Sequence, residues 1–243
     1  MKFTSLFEKE SRRKIGDLCL NIGATALLNI VIQFALYPYL QHKLGDNTYG
    51  VTLALLSLVA ITSGPCGNAA NYSRLVSEKN LHPSNGDYNL FLLFSGLLCA
   101  VVGVFYLWWI QTITYLSAFL FTILLIFTTF RNYSDVEFKL NTSFVRYFFF
   151  YFSISVGYIL GLLIYQKTNQ WIIIFLTGEA AGIIYAIFAS KLYRRPVFRP
   201  SKNFRLVLKS ILFLLFSNLL ENLTLNADRL LLLALEGGKA GPI

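Results

Sequence analysis

Charge is scarce in this sequence. Aspartate, glutamate, lysine and arginine make up 14% of the 243 residues, while 56% are hydrophobic and 16% aromatic. A typical soluble domain is about one-quarter charged, so this chain has too few ionic side chains to dress a water-facing surface. Histidine occurs only at positions 42 and 82, and cysteine only at 19, 66 and 99. All three cysteines fall inside apolar runs and an odd number cannot pair completely, which excludes a disulfide framework. With no cysteine near either histidine in sequence, neither a metal cluster nor a cofactor is expected. No HExxH, GxSxG, Walker-type phosphate loop or GxGxxG occurs, which removes the common hydrolase and nucleotide chemistries. His42 and Asp46 read as a solvated turn, and Asp135 and Glu137, close to Arg131 and Lys139, as solvated charges. An enzyme is not expected.

What the chain has instead is long apolar runs. A bilayer core about 30 Å thick needs roughly 20 apolar residues per crossing, and seven runs qualify: 18–40, 48–70, 88–110, 113–130, 147–165, 171–192 and 211–235. The first follows a charged segment, as a secretory signal does, but it is too long and lacks a small-x-small cleavage site, so it should remain as a span. The fold class is therefore all-α, a polytopic membrane helix bundle of about seven transmembrane helices. Residues 1–17 form a basic N-terminal segment, 18–192 a six-helix lobe, 193–210 a basic connector, 211–235 a seventh helix and 236–243 a tail.

Basic residues alternate between the gaps. One side holds Lys2, Lys9, Arg12, Arg13, Lys14, Arg74, Lys79, Arg131, Lys139 and Arg146, then the cluster from Lys191 to Lys209, whereas the other side has Lys43 and Lys167. By the positive-inside rule the N-terminus is cytoplasmic, in the cell membrane. The formal charge of +9 then faces anionic lipid head groups and not nucleic acid, because it sits at helix ends on one side. Gaps 111–112 and 166–170 are short enough to force antiparallel neighbours. The connector carries Arg195-Pro196 and Arg199-Pro200, and proline turns the preceding residue toward extended backbone.

Polar residues within the runs fall into stripes. In the seventh, Asn218, Glu221, Asn222, Asn226, Asp228 and Arg229 lie on one side of the helix wheel, and intramembrane charges normally face a bundle interior or a water-filled cavity. Asp228 and Arg229 have a second reading, as boundary residues that end the helix. In the first run Asn21, Thr25, Asn29, Gln33 and Tyr37 recur every four residues, as a cavity wall or as interhelical hydrogen-bonding glue. In the second, Gly64, Gly67, Asn68, Asn71 and Arg74 share a face next to Pro65, as a cavity wall or as close packing through small residues. Arg74 could meet an anionic ligand or serve as a positive-inside anchor. Glu179, the only acid of the sixth run, is an ion-coupling candidate or a neutralised buried carboxylate.

Three stretches carry a family likeness. Residues 36–50, Leu-Tyr-Pro-Tyr-Leu-Gln-His-Lys-Leu-Gly-Asp-Asn-Thr-Tyr-Gly, resemble the first helix end and first outer loop of polysaccharide-unit flippases in the multidrug/oligosaccharidyl-lipid/polysaccharide exporter superfamily, with their proline, Leu-Gly and Tyr-Gly. Residues 67–74, Gly-Asn-Ala-Ala-Asn-Tyr-Ser-Arg, look like the close of that family's second helix, and Asn226-Ala-Asp-Arg229 like the Asp-Arg of its seventh. The resemblance implies a lobe of a two-lobe transporter that moves undecaprenyl-diphosphate-linked oligosaccharide across the cytoplasmic membrane for capsular or exopolysaccharide synthesis by alternating access. Its partners would be the lipid-linked oligosaccharide, membrane lipids and other polysaccharide-assembly proteins or a second copy of the chain. Arg74, Asp228 and Arg229 match family positions; Asn29, Gln33, Asn68, Asn71, Glu179 and Glu221 rest on their place in the stripes. Family members have about 12 to 14 spans, so a chain truncated after the first lobe is expected, with a fragment or a half-transporter that dimerises as the alternatives. The alternatives are an ion-coupled exporter of small amphipathic or cationic molecules and, from another class, an integral-membrane polymerase or acyltransferase.

Overall fold

In hydrocarbon a backbone N–H or C=O has no water to bond, and the α-helix satisfies both within one segment. In a computed structural model, residues 2–110, 114–194 and 198–236 are described, with side chains for 15–110, 114–194, 198–228 and 231. The apolar runs are helices, and no strand occurs among the described residues. In order they are α1 (Lys2–Ile30), a π-helical stretch (Val31–Leu36), α2 (Tyr37–Leu81), α3 (Asn85–Trp109), α4 (Tyr115–Ser134), the short α5 (Val136–Leu140), α6 (Phe144–Thr168), α7 (Ile172–Ala189) and α8 (Phe204–Glu236). Six helices among the described residues are long and apolar enough to cross a membrane.

Six helices hold the seven expected runs because the first two share one continuous segment, Ile15–Leu81, of 67 residues. At 1.5 Å per residue that is about 100 Å of helix, three bilayer cores deep. It folds back at Gly45, whose φ of 70° and ψ of 163° interrupt α2. This backbone region is essentially reserved for glycine. Space is not the reason, since a side chain there would meet nothing within 4 Å. The reversal can be read from contacts. Tyr39 packs edge-on against Tyr165 near the end of α6, whereas Arg74 bonds Tyr133 near the end of α4, beside Asp135, which accepts from Tyr151 near the start of α6.

The π-helical turn also has a local cause. Pro38 lacks an N–H and its ring presses on the carbonyl four residues back. The wider turn just before it relieves that contact, and Tyr37 N–H reaches back five residues to Ile32 O. Helix starts are capped where a side chain allows it. Ser84 with Asp87 and Thr114 with Ser117 each exchange side-chain and backbone hydrogen bonds. The turn between α6 and α7 is closed by Asn169 in the left-handed conformation, which sets these helices antiparallel, as expected. The gap 111–112 and Arg195-Pro196 lie outside the described residues.

Helices α1, α6, α7, α4, α2 and α8 are neighbours in that order, and α3 packs outside on α4 and α2. Small residues set the tightest seam. Gly157 faces Thr177 and Ala181, Gly161 faces Ile174, and Gly178 receives the ring of Tyr158. Without a hydrophobic drive between helices in lipid, such close van der Waals approach is a main source of cohesion. The outer face of α3 exposes Phe94, Leu98, Val101, Phe105, Trp108 and Trp109, with the two tryptophans at the helix end where an interfacial belt belongs.

At the basic end the structure departs from one expectation. Asp135 is buried, paired with Lys139 at 2.9 Å and bonded by Tyr151 at 2.9 Å and Asn71 at 2.5 Å. Glu137 is half-buried and accepts from Lys191 N–H at 2.5 Å. Neither is a solvated charge, because short α5 folds back against α2 and α6 and carries them inward. Beyond α7 the connector docks on the start of α3. Asp87 accepts from Ser201 N–H at 2.6 Å, Asn85 donates to Lys191 O at 3.0 Å, and Gly86 lies against the Arg199 backbone with no room for a Cβ. Helix α8 begins at Phe204, two turns before the seventh apolar run.

Candidate functional site

The arc of helices forms a half-open cavity of about 330 Å³. Six of its elements reach it: the π-helical stretch through Ile32, α2 through Tyr37, Gly64 and Asn68, α4 through Leu124, Thr128, Arg131 and Asn132, α6 through Tyr158, α7 through Phe175 and Glu179, and α8 through Asn222. Apolar side chains from six segments would close such a space by packing. Here Leu56, Val59 and Ala60 add to the apolar wall, while asparagines, a threonine and an ion pair supply polar groups of the kind that bind water.

Its charge chemistry is one fork. Arg131 Nε donates to Glu179 Oε2 at 2.6 Å and Nη2 to Oε1 at 3.1 Å, while the Tyr158 hydroxyl donates to Oε1 at 3.2 Å. The two side chains are 16% and 5% exposed. Burial at this depth is tolerable only because the charges are paired and their remaining lone pairs bonded. The sequence builds this locally. Gly178 leaves room for the Tyr158 ring, and Gly182 leaves room for Ile154 and for Arg131 Cγ, so both the guanidinium and the phenol can reach the carboxylate. Thr128 stands one turn before Arg131 on α4, and its Oγ1 is buried without a hydrogen-bond partner.

The residues expected to form a site are distributed unevenly. Asn68 and Glu179 line the cavity. Asn71 lies one turn below Asn68 and is committed to structure, donating to Asn132 O at 2.9 Å and to Asp135. Arg74, one turn further, is buried and donates to Tyr133 Oη at 2.5 Å, Asn85 Oδ1 at 2.9 Å and Glu78 Oε2 at 3.2 Å, with its guanidinium 5.4 Å from the Tyr88 ring centre. It ties α2 to α3 and α4 at the basic end. In α8, Asn222 reaches the cavity while Glu221 and Asp228 are exposed. The amides of Asn218, Asn222 and Asn226 donate to the carbonyls four residues back, at 2.9, 2.8 and 3.0 Å. Asn29 and Gln33 are exposed on the first arm, and Tyr37 alone of that stripe lines the cavity. The Arg229 side chain lies outside the described residues.

Arg131 was read from sequence as one more inner-side anchor. Its signal was indirect: a lone acid in the sixth run needs a cation, and Arg131 directly follows the fourth run. At the opposite end a second, larger pocket of about 560 Å³ lies between Tyr39 and Lys43 of the first arm and Tyr165, Gln166 and Asn169 of the α6 end. Near the basic end, outside the spans, Tyr193 pairs with Ser134 at 2.6 Å, and burial pushes its phenol above the usual range, keeping it neutral. No group of three or more histidine, cysteine or acidic side chains suited to a metal ion occurs among the described residues. The chain is a bundle of membrane-spanning helices around a central cavity of mixed apolar and polar lining, and no protein family, curated protein or solved structure matches it.

Proposed function

We propose that this chain acts in transport across a cell membrane, as the lobe of a flippase that moves lipid-linked oligosaccharide units, with its N-terminus and basic end in the cytoplasm. The observation that carries the reading is the central cavity, walled by Asn68, Asn132 and Asn222 and holding the Arg131–Glu179 pair. Intramembrane ionisable residues face a bundle interior or a water-filled cavity and mark substrate and ion pathways. Amide side chains suit sugar hydroxyls, because each offers both donors and an acceptor. Tyr37, Tyr158 and Phe175 on the same wall supply the flat apolar surfaces a sugar ring can lie against.

Depleting the protein and following lipid-linked repeat units tests this: they should build up on the inner leaflet and fall at the outer one. Unchanged accessibility at the outer leaflet overturns it. The volume of the cavity supports a second reading, an ion-coupled exporter of small molecules, since about 330 Å³ is near the lower bound for a small-molecule pocket. Protection from toxic organic cations on expression, with repeat units unmoved, would favour that reading.

A further inference from the structure

We propose that the pocket at the end of the bundle away from the basic connector seats the head group of an anionic phospholipid, with Lys43 as its cation. It shares no lining residue with the central cavity and stands whether or not the chain transports. Tyr39 and Lys43 line it from the first arm, Tyr165 and Gln166 from the end of α6, and Asn169 from the turn that follows. Each of these side chains offers a hydrogen-bond donor, and the Lys43 ammonium offers donors alone. No carboxylate is among them. Asp46, the nearest acid in sequence, lies beyond the Gly45 bend and forms no ion pair with Lys43 among the described residues. A lining rich in donors, with a positive charge that no described side chain answers, suits an anion with several oxygens.

Depth selects a lipid as the source. Tyr39 and Tyr165 meet edge to face at 6.2 Å and Trp171 opens the next helix, and such residues gather where a chain passes from hydrocarbon to head groups. On the membrane side of the pocket the arm and α6 expose Phe34, Leu163 and Ile164, apolar surface along which acyl chains can descend. The Tyr39 hydroxyl is buried without a hydrogen-bond partner, a need that a phosphate oxygen would meet. About 560 Å³ is within the range that holds a small organic group. Phosphatidylcholine has the same phosphate but brings its own cation, which this lining has no acid to receive. An anionic head group leaves Lys43 as the sole counter-charge, and it would tie the first arm to the α6–α7 turn just before the chain bends at Gly45.

The test uses the full chain in phosphatidylcholine nanodiscs, with its native cysteines replaced and one fluorophore attached at Ile164→Cys, beside the pocket. Quenching by phosphatidylglycerol spin-labelled on its acyl chain, against phosphatidylcholine labelled in the same way, reads the lipid preference here and not at the basic end. One cation near the surface should favour the anionic lipid about fivefold. Lys43→Gln should abolish the preference. Lys167→Gln removes the same charge one residue from Gln166 but outside the lining, and should leave the preference unchanged. Both lysines are exposed, so neither replacement disturbs packing. Tyr39→Phe, which deletes only the hydroxyl, should lower the preference in part. Equal quenching by the two lipids, a preference kept in Lys43→Gln, or one lost equally in Lys167→Gln overturns the site. Soluble glycerol phosphate distinguishes the sources: failure to displace the labelled lipid supports a head group held with its chains, and displacement overturns that assignment in favour of a free phosphate.

Discussion

Replacing Gly157 with alanine probes the α6–α7 seam that aims Tyr158 and Glu179 at the cavity. A methyl at this position lies 2.7 Å from Thr177 O, 2.8 Å from Gly178 Cα and 2.8 Å from Ala181 Cβ. None of these atoms can swing aside, because each is backbone or attached directly to it. Ordinary contact begins near 3.4 Å, so α7 must withdraw by about 0.7 Å, and a gap of that order forfeits a quarter to a half of the dispersion attraction across the seam. The withdrawal also stretches the bond from Thr177 Oγ1 to Gly157 O, now 2.9 Å, to roughly 3.6 Å, beyond hydrogen-bonding range. Overpacking of this kind costs about 1–3 kcal/mol, and the higher helix propensity of alanine returns at most about 1 kcal/mol. With that return taken in full the expected net loss is about 0–2 kcal/mol, read as a lower midpoint in SDS-induced unfolding followed by tryptophan fluorescence. Gly23→Ala is the control, since its nearest neighbour is Phe148 Cε2 at 3.9 Å, and it should hold or slightly raise the midpoint. If Gly157→Ala unfolds no earlier than Gly23→Ala, the argument from close approach is wrong.

Gly45→Ala should destabilise by about 1–3 kcal/mol through backbone strain alone; equal resistance to thermal unfolding would show that the arms reverse without a glycine-only conformation. Arg74→Gln should lower the unfolding free energy by about 2–3 kcal/mol through lost charged hydrogen bonds, with Arg74→Lys recovering part of it, and wild-type stability in both would remove Arg74 from the basic-end network. Cys66 and Cys99 Sγ atoms lie 3.8 Å apart, so a short bifunctional thiol reagent should link α2 to α3 in a Cys19→Ser background; failure to link them after complete labelling would contradict this packing. In a cysteine-free background, Asn68→Cys and Asn222→Cys should react with water-soluble thiol reagents and Phe213→Cys on the outer face of α8 should not, and the reverse pattern would deny that the cavity holds water. Cysteines at Asn29, Glu221 and Asp228 report in the same assay on the exposed polar stripes of α1 and α8.

Much of the framework was legible from hydropathy. Apolar runs give helices in a bilayer whatever packs beside them, so the helical class and the antiparallel α6–α7 turn followed from length and gap size. The stripes were legible only as faces. In the second run both readings hold at once, since Gly67 packs tightly on α4 with Thr129 and Asn132, while Asn68 beside it opens on the cavity. In the seventh, the asparagines and the acids separate, because adjacent positions on a helix differ by about 100° and the line between wall and exterior passes between Glu221 and Asn222.

Sequence alone determined the solvent, because backbone groups in hydrocarbon must bond within their own helix, and it marked Glu179 as a charge in need of a reason. Which cation answers that charge was decided by the fold. Arg131 stands 48 positions away from Glu179, on a helix whose approach to α7 lays Arg131 Cγ against Gly182. Asp135 was drawn inward in the same way, by partners from α2 and α6 that no local pattern could identify. Pairing of buried charges depends on distances of about 3 Å between atoms remote in the chain, and helix packing alone sets those.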